Sequence, residues 1–203
     1  MLPAVLEHIA ISVSAITGVL AARGKRVDLF GVLVLALVTA YGGGTVRDLL
    51  VADLPPVWVR SSDYLLNATL TALVTFFAVR FRPLPERVLL VADACALALF
   101  TLIGVRKGLA FDCGTAVAIM LGVTTGVAGG IVRDVLLGEM PMVFRREIHL
   151  YATAALGGAA LYIWLHALGL KEVLATTAGM VFVLALRLAG IRWKISLPLL
   201  DYR

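Results

Sequence analysis

Long apolar stretches separated by short polar links dominate the chain. Such stretches lie at roughly 3–22, 28–50, 64–80, 88–105, 114–137, 148–168 and 172–190. A helix needs about 20 apolar residues to cross a bilayer, whereas a barrel strand needs about 10 residues that alternate in polarity. The pattern therefore predicts an all-α polytopic membrane protein with seven transmembrane helices.

The composition supports this prediction and excludes most other classes of protein. Of the 203 residues, 61% are apolar and 15% are charged, and the mean hydropathy is +0.99. Soluble domains carry about 25% charged residues. An ordinary soluble enzyme is therefore excluded, and we expect one transmembrane domain over residues 1–203 in a lipid bilayer. The sequence shows neither a catalytic motif nor metal-ligand spacing, so we expect no enzymatic activity, no cofactor and no resident metal.

The net charge of +5 is interpreted as a signal of membrane topology. Most basic residues lie in alternate links, and cytoplasmic links are enriched in lysine and arginine. We therefore expect the N-terminus outside, the C-terminus in the cytoplasm, and no nucleic-acid partner. The residues assigned to the cytoplasmic side are Arg23, Lys25, Arg26, Arg80, Arg82, Arg87, Arg145, Arg146, Arg192, Lys194 and Arg203, and those assigned to the other side are Arg60, Arg106, Lys107 and Lys171.

An internal repeat divides the chain. Residues 43–60 and 129–146 are identical at 9 of 18 positions, at an offset of 86 residues, and the same offset pairs Glu7 with Asp93. The sequence thus predicts two three-span units, at about 3–82 and 88–168, followed by a seventh helix at about 172–190. Because three is odd, the second unit enters the membrane from the opposite side, and the 3+3 repeat is inverted.

Glycines recur at matching positions in the second and fifth spans, at 42–44 and 129–130. Glycine weakens a helix, and a broken helix offers carbonyl oxygens to an ion or a substrate. The alternative is close helix packing through small residues. Both interpretations stay open, and the repetition of the glycines beside charged residues favours a transport path.

Each glycine run is followed by an Arg-Asp pair, at 47–48 and 133–134. Sequence neighbours do not face each other on a helix. We therefore expect each arginine to pair with a carboxylate elsewhere, and the two aspartates to make the path favourable to cations. The alternative is a structural ion-pair network. The residues concerned are Arg47, Asp48, Arg133 and Asp134, with Glu7 and Asp93 as the expected partners of the arginines.

The predicted topology places the first Arg-Asp pair at an outer vestibule and the second at an inner one, which gives an hourglass with glycines at its waist. Hydroxyl groups beside the glycines are candidates to line it, although threonine commonly bonds back to its own helix. Asn67 is interpreted as a contact between helices, and Trp58 as an interfacial anchor. The hydroxyl candidates are Thr39, Thr45, Thr124 and Thr125, together with Tyr41.

GGGTVRDLL at 42–50, GGIVRDVLLGEMP at 129–141 and LYATAALGG at 150–158 resemble the prokaryotic TRIC family, the trimeric intracellular cation channels. The same bacterial sequences are also grouped under the name glycine-transporter domain. The resemblance implies a homotrimer in the prokaryotic plasma membrane, with one pore in each protomer beside the kinked second and fifth helices. It also implies that the permeant ion is monovalent, chiefly K⁺, with Na⁺ possible.

Carried over residue by residue, the resemblance implies a set of pore residues in the two repeats, to which the hydroxyl argument adds two threonines. The alternative function is a secondary transporter of a small amino acid such as glycine, because helix ends near the midplane also suit a zwitterion. The pore candidates are Gly43, Gly44, Thr45, Asp48, Thr125, Gly129, Gly130 and Asp134, and the structural ion-pair candidates are Arg47, Arg133, Glu7 and Asp93.

Overall fold

A computed structural model describes residues 2–81, 84–85, 87–145 and 150–193. Within these ranges the chain is all-helical, as predicted, and contains no strand. The α-helices are α1 Leu2–Ala21, α2 Leu29–Leu50, α3 Val57–Arg60, α4 Ser62–Phe81, α5 Arg87–Ala110, α6 Thr115–Leu136, α7 Tyr151–Ala167 and α8 Glu172–Trp193, and a 3₁₀ turn covers Met142–Phe144.

Six of these helices are long and apolar enough to cross a membrane, namely α1, α2, α4, α5, α6 and α8. The sixth predicted span, 148–168, corresponds to α7, whose 17 residues begin at Tyr151. Residues 148 and 149 of this predicted span lie outside the described ranges. Four of the basic residues used to predict the topology also lie outside them. Those four are Arg82, Arg146, Lys194 and Arg203.

The buried apolar residues form two clusters that follow the two halves of the chain. The first cluster joins α1, α2 and α4, and the second joins α5, α6, α7 and α8. Phe100 and Ile103 of α5 belong to the first cluster, so α5 connects the halves. It is also the most enclosed of the long helices, with 61% of its span buried.

Small residues bring helices into backbone contact at matching places in the two halves. A Cβ on Gly18 of α1 would lie 2.6 Å from Ala36 Cα on α2, and one on Gly104 of α5 would lie 2.8 Å from Gly122 Cα on α6. Real Cβ atoms do not approach so closely, so only glycine allows these crossings. Such small-residue contacts are how helices associate in lipid, where apolar burial gives little driving force.

The second and fifth predicted spans, α2 and α6, end in the same way. The amides of Asp53 and Glu139 each donate to the carbonyl oxygen five residues earlier, at 2.9 Å in both cases. The residue before each donor is left-handed, with φ 56° at Ala52 and 69° at Gly138. This is the hydrogen bonding of a Schellman C-terminus. The repeat is therefore visible in backbone geometry as well as in sequence.

Candidate functional site

The first Arg-Asp pair lies at the C-terminal end of α2. Arg47 Nη2 lies 2.8 Å from Asp48 Oδ1, and its Nη1 lies 3.8 Å from Glu7 Oε1 on α1. Asp48 Oδ2 accepts the amide of Val57 at 3.2 Å, while Tyr64 of α4 donates to Glu7 Oε2 at 3.1 Å. Both members of the pair are buried. The cluster thus ties together α1, α2, α4 and the chain that returns from α2.

The second pair is arranged in the same way at the end of α6. Arg133 Nε donates to Asp134 Oδ1 at 2.8 Å, and Nη1 donates to Asp93 Oδ1 of α5 at 3.2 Å. Asp134 Oδ2 accepts the amide of Met142 at 2.8 Å. A Cβ on Gly130 would lie 3.4 Å from Tyr151 Oη, which brings α7 to the same place. Asp93 Oδ2 and Arg133 Nη2 have no hydrogen-bond partner within the described ranges.

This geometry corrects one prediction about the aspartates. Each arginine does reach the expected carboxylate on another helix, but it also folds back onto the aspartate that follows it. The long guanidinium side chain can do this because its reach exceeds one helical turn. Asp48 and Asp134 are therefore not left free to attract cations. Each accepts from a guanidinium and from the amide of the chain beyond its helix, and Lys107 Nζ lies 3.7 Å from Asp48 Oδ1.

The glycines cross each other between the two clusters. A Cβ on Gly43 would lie 2.0 Å from the carbonyl oxygen of Thr125, and one on Gly129 would lie 2.4 Å from that of Thr39. The expected helix breaks are wrong, because α2 and α6 are helical through their glycines. The close-packing interpretation is the correct one at these two positions. The contact places the two helix backbones against each other at the centre of the fold.

Hydroxyl groups surround this crossing. The buried hydroxyls of Thr39 and Thr125 donate to carbonyls four residues earlier, at 2.5 and 2.6 Å, as threonines in helices commonly do. Ser14 donates to the carbonyl of Thr39 at 3.0 Å. Their oxygens still offer lone pairs, because a hydroxyl that donates one bond can accept others. The centre of the fold therefore presents acceptors that suit a cation or water.

Two other predicted residues have local structural contacts. Trp58 of α3 stacks its ring on Tyr41 at 5.2 Å, and its Nε1 donates to Thr45 at 3.0 Å, so its indole is held against α2. Its role as an interfacial anchor stays a prediction. Asn67 donates to the carbonyl of His8 at 2.9 Å and accepts from Ser12 at the same distance. It joins α4 to α1, as expected.

A small internal cavity lies beside the crossing. Its water-accessible volume is about 10 Å³, near the lower limit for one water molecule. A second cavity of about 30 Å³ lies at the first cluster. Phe100 borders both. The central cavity is lined by residues that include Ser14, Thr39, Gly43, Asp93, Thr125, Gly129, Gly130 and Tyr151, and the second by residues that include Glu7, Tyr41, Gly44, Arg47, Asp48 and Trp58.

Sequence reasoning missed Arg187, although a charge within the predicted seventh span is a signal for it. The side chain is fully buried, and its guanidinium lies 4.6 Å from the centroid of the Tyr151 ring. Tyr64 and Tyr151 were missed as well. Tyr64 lies in α4 beside Glu7, and Tyr151 lies in α7 beside Asp93. The repeat offset of 86 residues carries position 64 to position 150, next to Tyr151, so this correspondence was visible in the sequence.

Beyond the helices, one acidic residue in each half bridges two basic residues. Asp53 pairs with Arg60 and with Lys107 of the other half. Lys107 and Arg60 donate hydrogen bonds to this carboxylate and hold its pKa below the usual range. In the other half Lys25 and Arg145 act on Glu139 and lower its pKa in the same manner. Each bridge links the end of α2 or α6 to the opposite half.

A family model described as Glycine transporter matches residues 4–80 and 90–167. The inner membrane protein YadS of Escherichia coli K12, a UPF0126 protein, is 45% identical over 195 residues, which cover 95% of this chain and 93% of that protein. A UPF0126 membrane protein of Vibrio cholerae is 42% identical over 195 residues, covering 95% of this chain and 80% of that protein.

Solved structures also match over nearly the whole chain. A TRIC trimeric intracellular cation channel orthologue from Rhodobacter sphaeroides superposes with a TM-score of 0.90 and 38% identity, covering 96% of this chain and 99% of that one. A structure concerned with conductance through TRIC cation channels gives a TM-score of 0.87 and 33% identity, covering 98% and 97%. The fold is therefore TRIC-like.

Proposed function

The chain belongs to the glycine transporter (UPF0126) family, and on this premise we propose that it is a membrane channel for monovalent cations. The observation that carries the proposal is the full-length match, at a TM-score of 0.90 and 38% identity, to a trimeric intracellular cation channel. K⁺ is the chief permeant ion in this proposal, and Na⁺ is a second. The proposal includes no enzymatic step, no cofactor and no nucleic-acid partner.

The path runs within each protomer, past the crossing of α2 and α6. Hydroxyl and carbonyl oxygens at the central cavity replace part of the hydration shell of a cation, as backbone carbonyls do in other channels. The carboxylate residue Asp93 borders the central cavity, and Glu7 borders the cavity at the first cluster. In this hourglass the waist is the glycine crossing. The residues that border the path are Thr39, Gly43, Gly44, Asp48, Thr125, Gly129 and Gly130.

The remaining candidates hold the scaffold in this proposal. Asp134 is engaged by Arg133 and an amide, and Thr45 accepts from Trp58. Arg47 and Arg133 fix the ends of the two path helices against α1 and α5. Removing one partner of a buried ion pair leaves an uncompensated charge, so such pairs are strong restraints on geometry once formed.

The proposed topology has seven transmembrane helices, with α7 as the sixth and α8 as the seventh, in one domain. The three-span units at about 3–82 and 88–168 are related by inversion. Matching hydrogen bonds at the ends of α2 and α6 support the repeat, and the odd span count requires the inversion. The protein lies in the inner membrane as a homotrimer, with the N-terminus outside and the C-terminus in the cytoplasm. The distribution of basic residues supports this orientation.

The second candidate is a secondary transporter of a small amino acid such as glycine. The description of the family model favours it, and so do the unpartnered oxygen of Asp93 and nitrogen of Arg133, which suit the two charges of a zwitterion. The size of the central cavity favours the channel. About 10 Å³ holds one water or one ion but not an amino acid, so a transporter would need another conformation.

Flux measurements on purified protein in liposomes test the proposal. Vesicles loaded with KCl are diluted into a K⁺-free medium that contains a protonophore, so that H⁺ entry balances the charge of the K⁺ that leaves, and K⁺ loss is followed beside uptake of radiolabelled glycine. A channel releases K⁺ without any effect of external glycine, and it accumulates no glycine above protein-free vesicles. Saturable glycine uptake with no K⁺ release above that control would contradict the channel.

A further inference from the structure

The two halves of the path differ at one pair of equivalent positions. The repeat offset that pairs Glu7 with Asp93 also pairs Ser14 of α1 with Phe100 of α5. Ser14 is buried at the central cavity and donates to a carbonyl at the crossing. Phe100 is also buried, but it borders the central cavity on one side and the Glu7 cavity on the other.

The consequence for the path is an interruption on one side only. Asp93 borders the central cavity itself, so on that side the carboxylate, Ser14 and the crossing share one space. Glu7 borders the other cavity and is not among the residues that line the central one, whereas Phe100 lines both cavities. At this pair of equivalent positions, one half of the chain therefore has a small hydroxyl, Ser14, and the other half has a large apolar ring, Phe100.

We propose that Phe100 is the gate residue of the path, and that ions pass between the Glu7 cavity and the central cavity only when its ring moves. This inference rests on the proposed channel function. An apolar constriction excludes water and thereby blocks ions that must keep part of their hydration. Phe100 packs among the buried apolar residues of α1, α2 and α4, so its rotamer responds to movement of that half.

Substitution of Phe100 by the residue at the equivalent position tests the gate. In the liposome assay Phe100→Ser raises K⁺ release by about two- to tenfold, the range expected when a rotamer change no longer limits passage. Phe77→Ala, on the exposed face of α4, is the matched control and leaves K⁺ release unchanged. Release by Phe100→Ser equal to that of the unmodified protein would overturn the gate.

Two further variants keep the test decisive if Phe100→Ser fails to assemble. Phe100→Leu retains apolar packing with a shorter reach, and it raises K⁺ release by a smaller factor than Phe100→Ser. Ser14→Phe places a second ring on the Asp93 side and lowers release. If the unmodified protein and all variants release no K⁺, the channel itself is wrong; if the unmodified protein conducts and neither position alters the rate, only the gate is wrong.

Discussion

Replacement of Gly43 by alanine inserts a methyl group directly against the backbone of α6. The new Cβ would lie 2.0 Å from Thr125 O, whereas ordinary contacts begin at 3.4 Å, so the helices must separate by about 1.4 Å. Gly44, its neighbour, is the matched control. A Cβ there meets only Arg47 Nη2 at 3.8 Å, which is an ordinary contact.

The two substitutions therefore change the stability of the protein in opposite directions. Overpacking costs about 1–3 kcal/mol, and Gly43→Ala falls at the upper end because a backbone carbonyl cannot rotate away. Gly44→Ala gains about 0.5–1 kcal/mol from the restricted unfolded chain. The difference of roughly 2–4 kcal/mol corresponds to about 5–15 °C in Tm for a chain of this length.

Thermal unfolding of the purified protein in detergent measures this difference. Aliquots are heated, and the assembled fraction is followed by size-exclusion chromatography with fluorescence detection. We expect Gly43→Ala to melt well below the unmodified protein and Gly44→Ala at or above it. Equal melting of the two variants would refute the close crossing of α2 and α6.

Three further predictions concern stability, and each is measured as a change in Tm. Asp134→Asn leaves the buried charge of Arg133 without its closest partner and destabilises the protein by about 3 kcal/mol; an unchanged Tm would show that the pair is dispensable. Ala52→Gly relieves a left-handed alanine where the other half has glycine, and stabilises by about 1 kcal/mol; a lower Tm would contradict this. Asp53→Asn destabilises the protein at pH 7 by less than about 1 kcal/mol, which lowers Tm by at most about 2–4 °C, because its bridges are near the surface. The pKa of Asp53 is lowered in the folded protein, so the ionised carboxylate stabilises the fold above about pH 4, and this stabilisation is lost as the pH falls further. The difference in Tm between the unmodified protein and Asp53→Asn must therefore shrink below about pH 4.

The helices were predictable from sequence because lipid imposes a simple requirement on them. Each span must be apolar for about 20 residues, and the links between spans are short and marked by proline or charge. The short helix α3 at Val57–Arg60 and the 3₁₀ turn at Met142–Phe144 were not predicted, since elements of three or four residues carry no hydrophobic period.

The candidate site was predicted as a set of residues but not as a set of contacts. The repeat identified both Arg-Asp pairs, yet the fold-back of Arg47 onto Asp48 depends on side-chain rotamers that helix geometry alone does not determine. The repeated glycines were identified from the sequence as helix breaks, and their role as a crossing needed the position of the partner helix. The difference between Ser14 and Phe100 was visible at the repeat offset, but its meaning required the cavities.

Recording from single channels in a planar bilayer tests the central claim most directly. With a KCl gradient across the membrane and glycine added to one side, a cation channel gives discrete current steps. Their reversal potential lies close to the K⁺ equilibrium potential and is unaffected by glycine. Absence of unitary steps from protein that takes up glycine in liposomes, or a reversal potential at that of Cl⁻, would contradict the account.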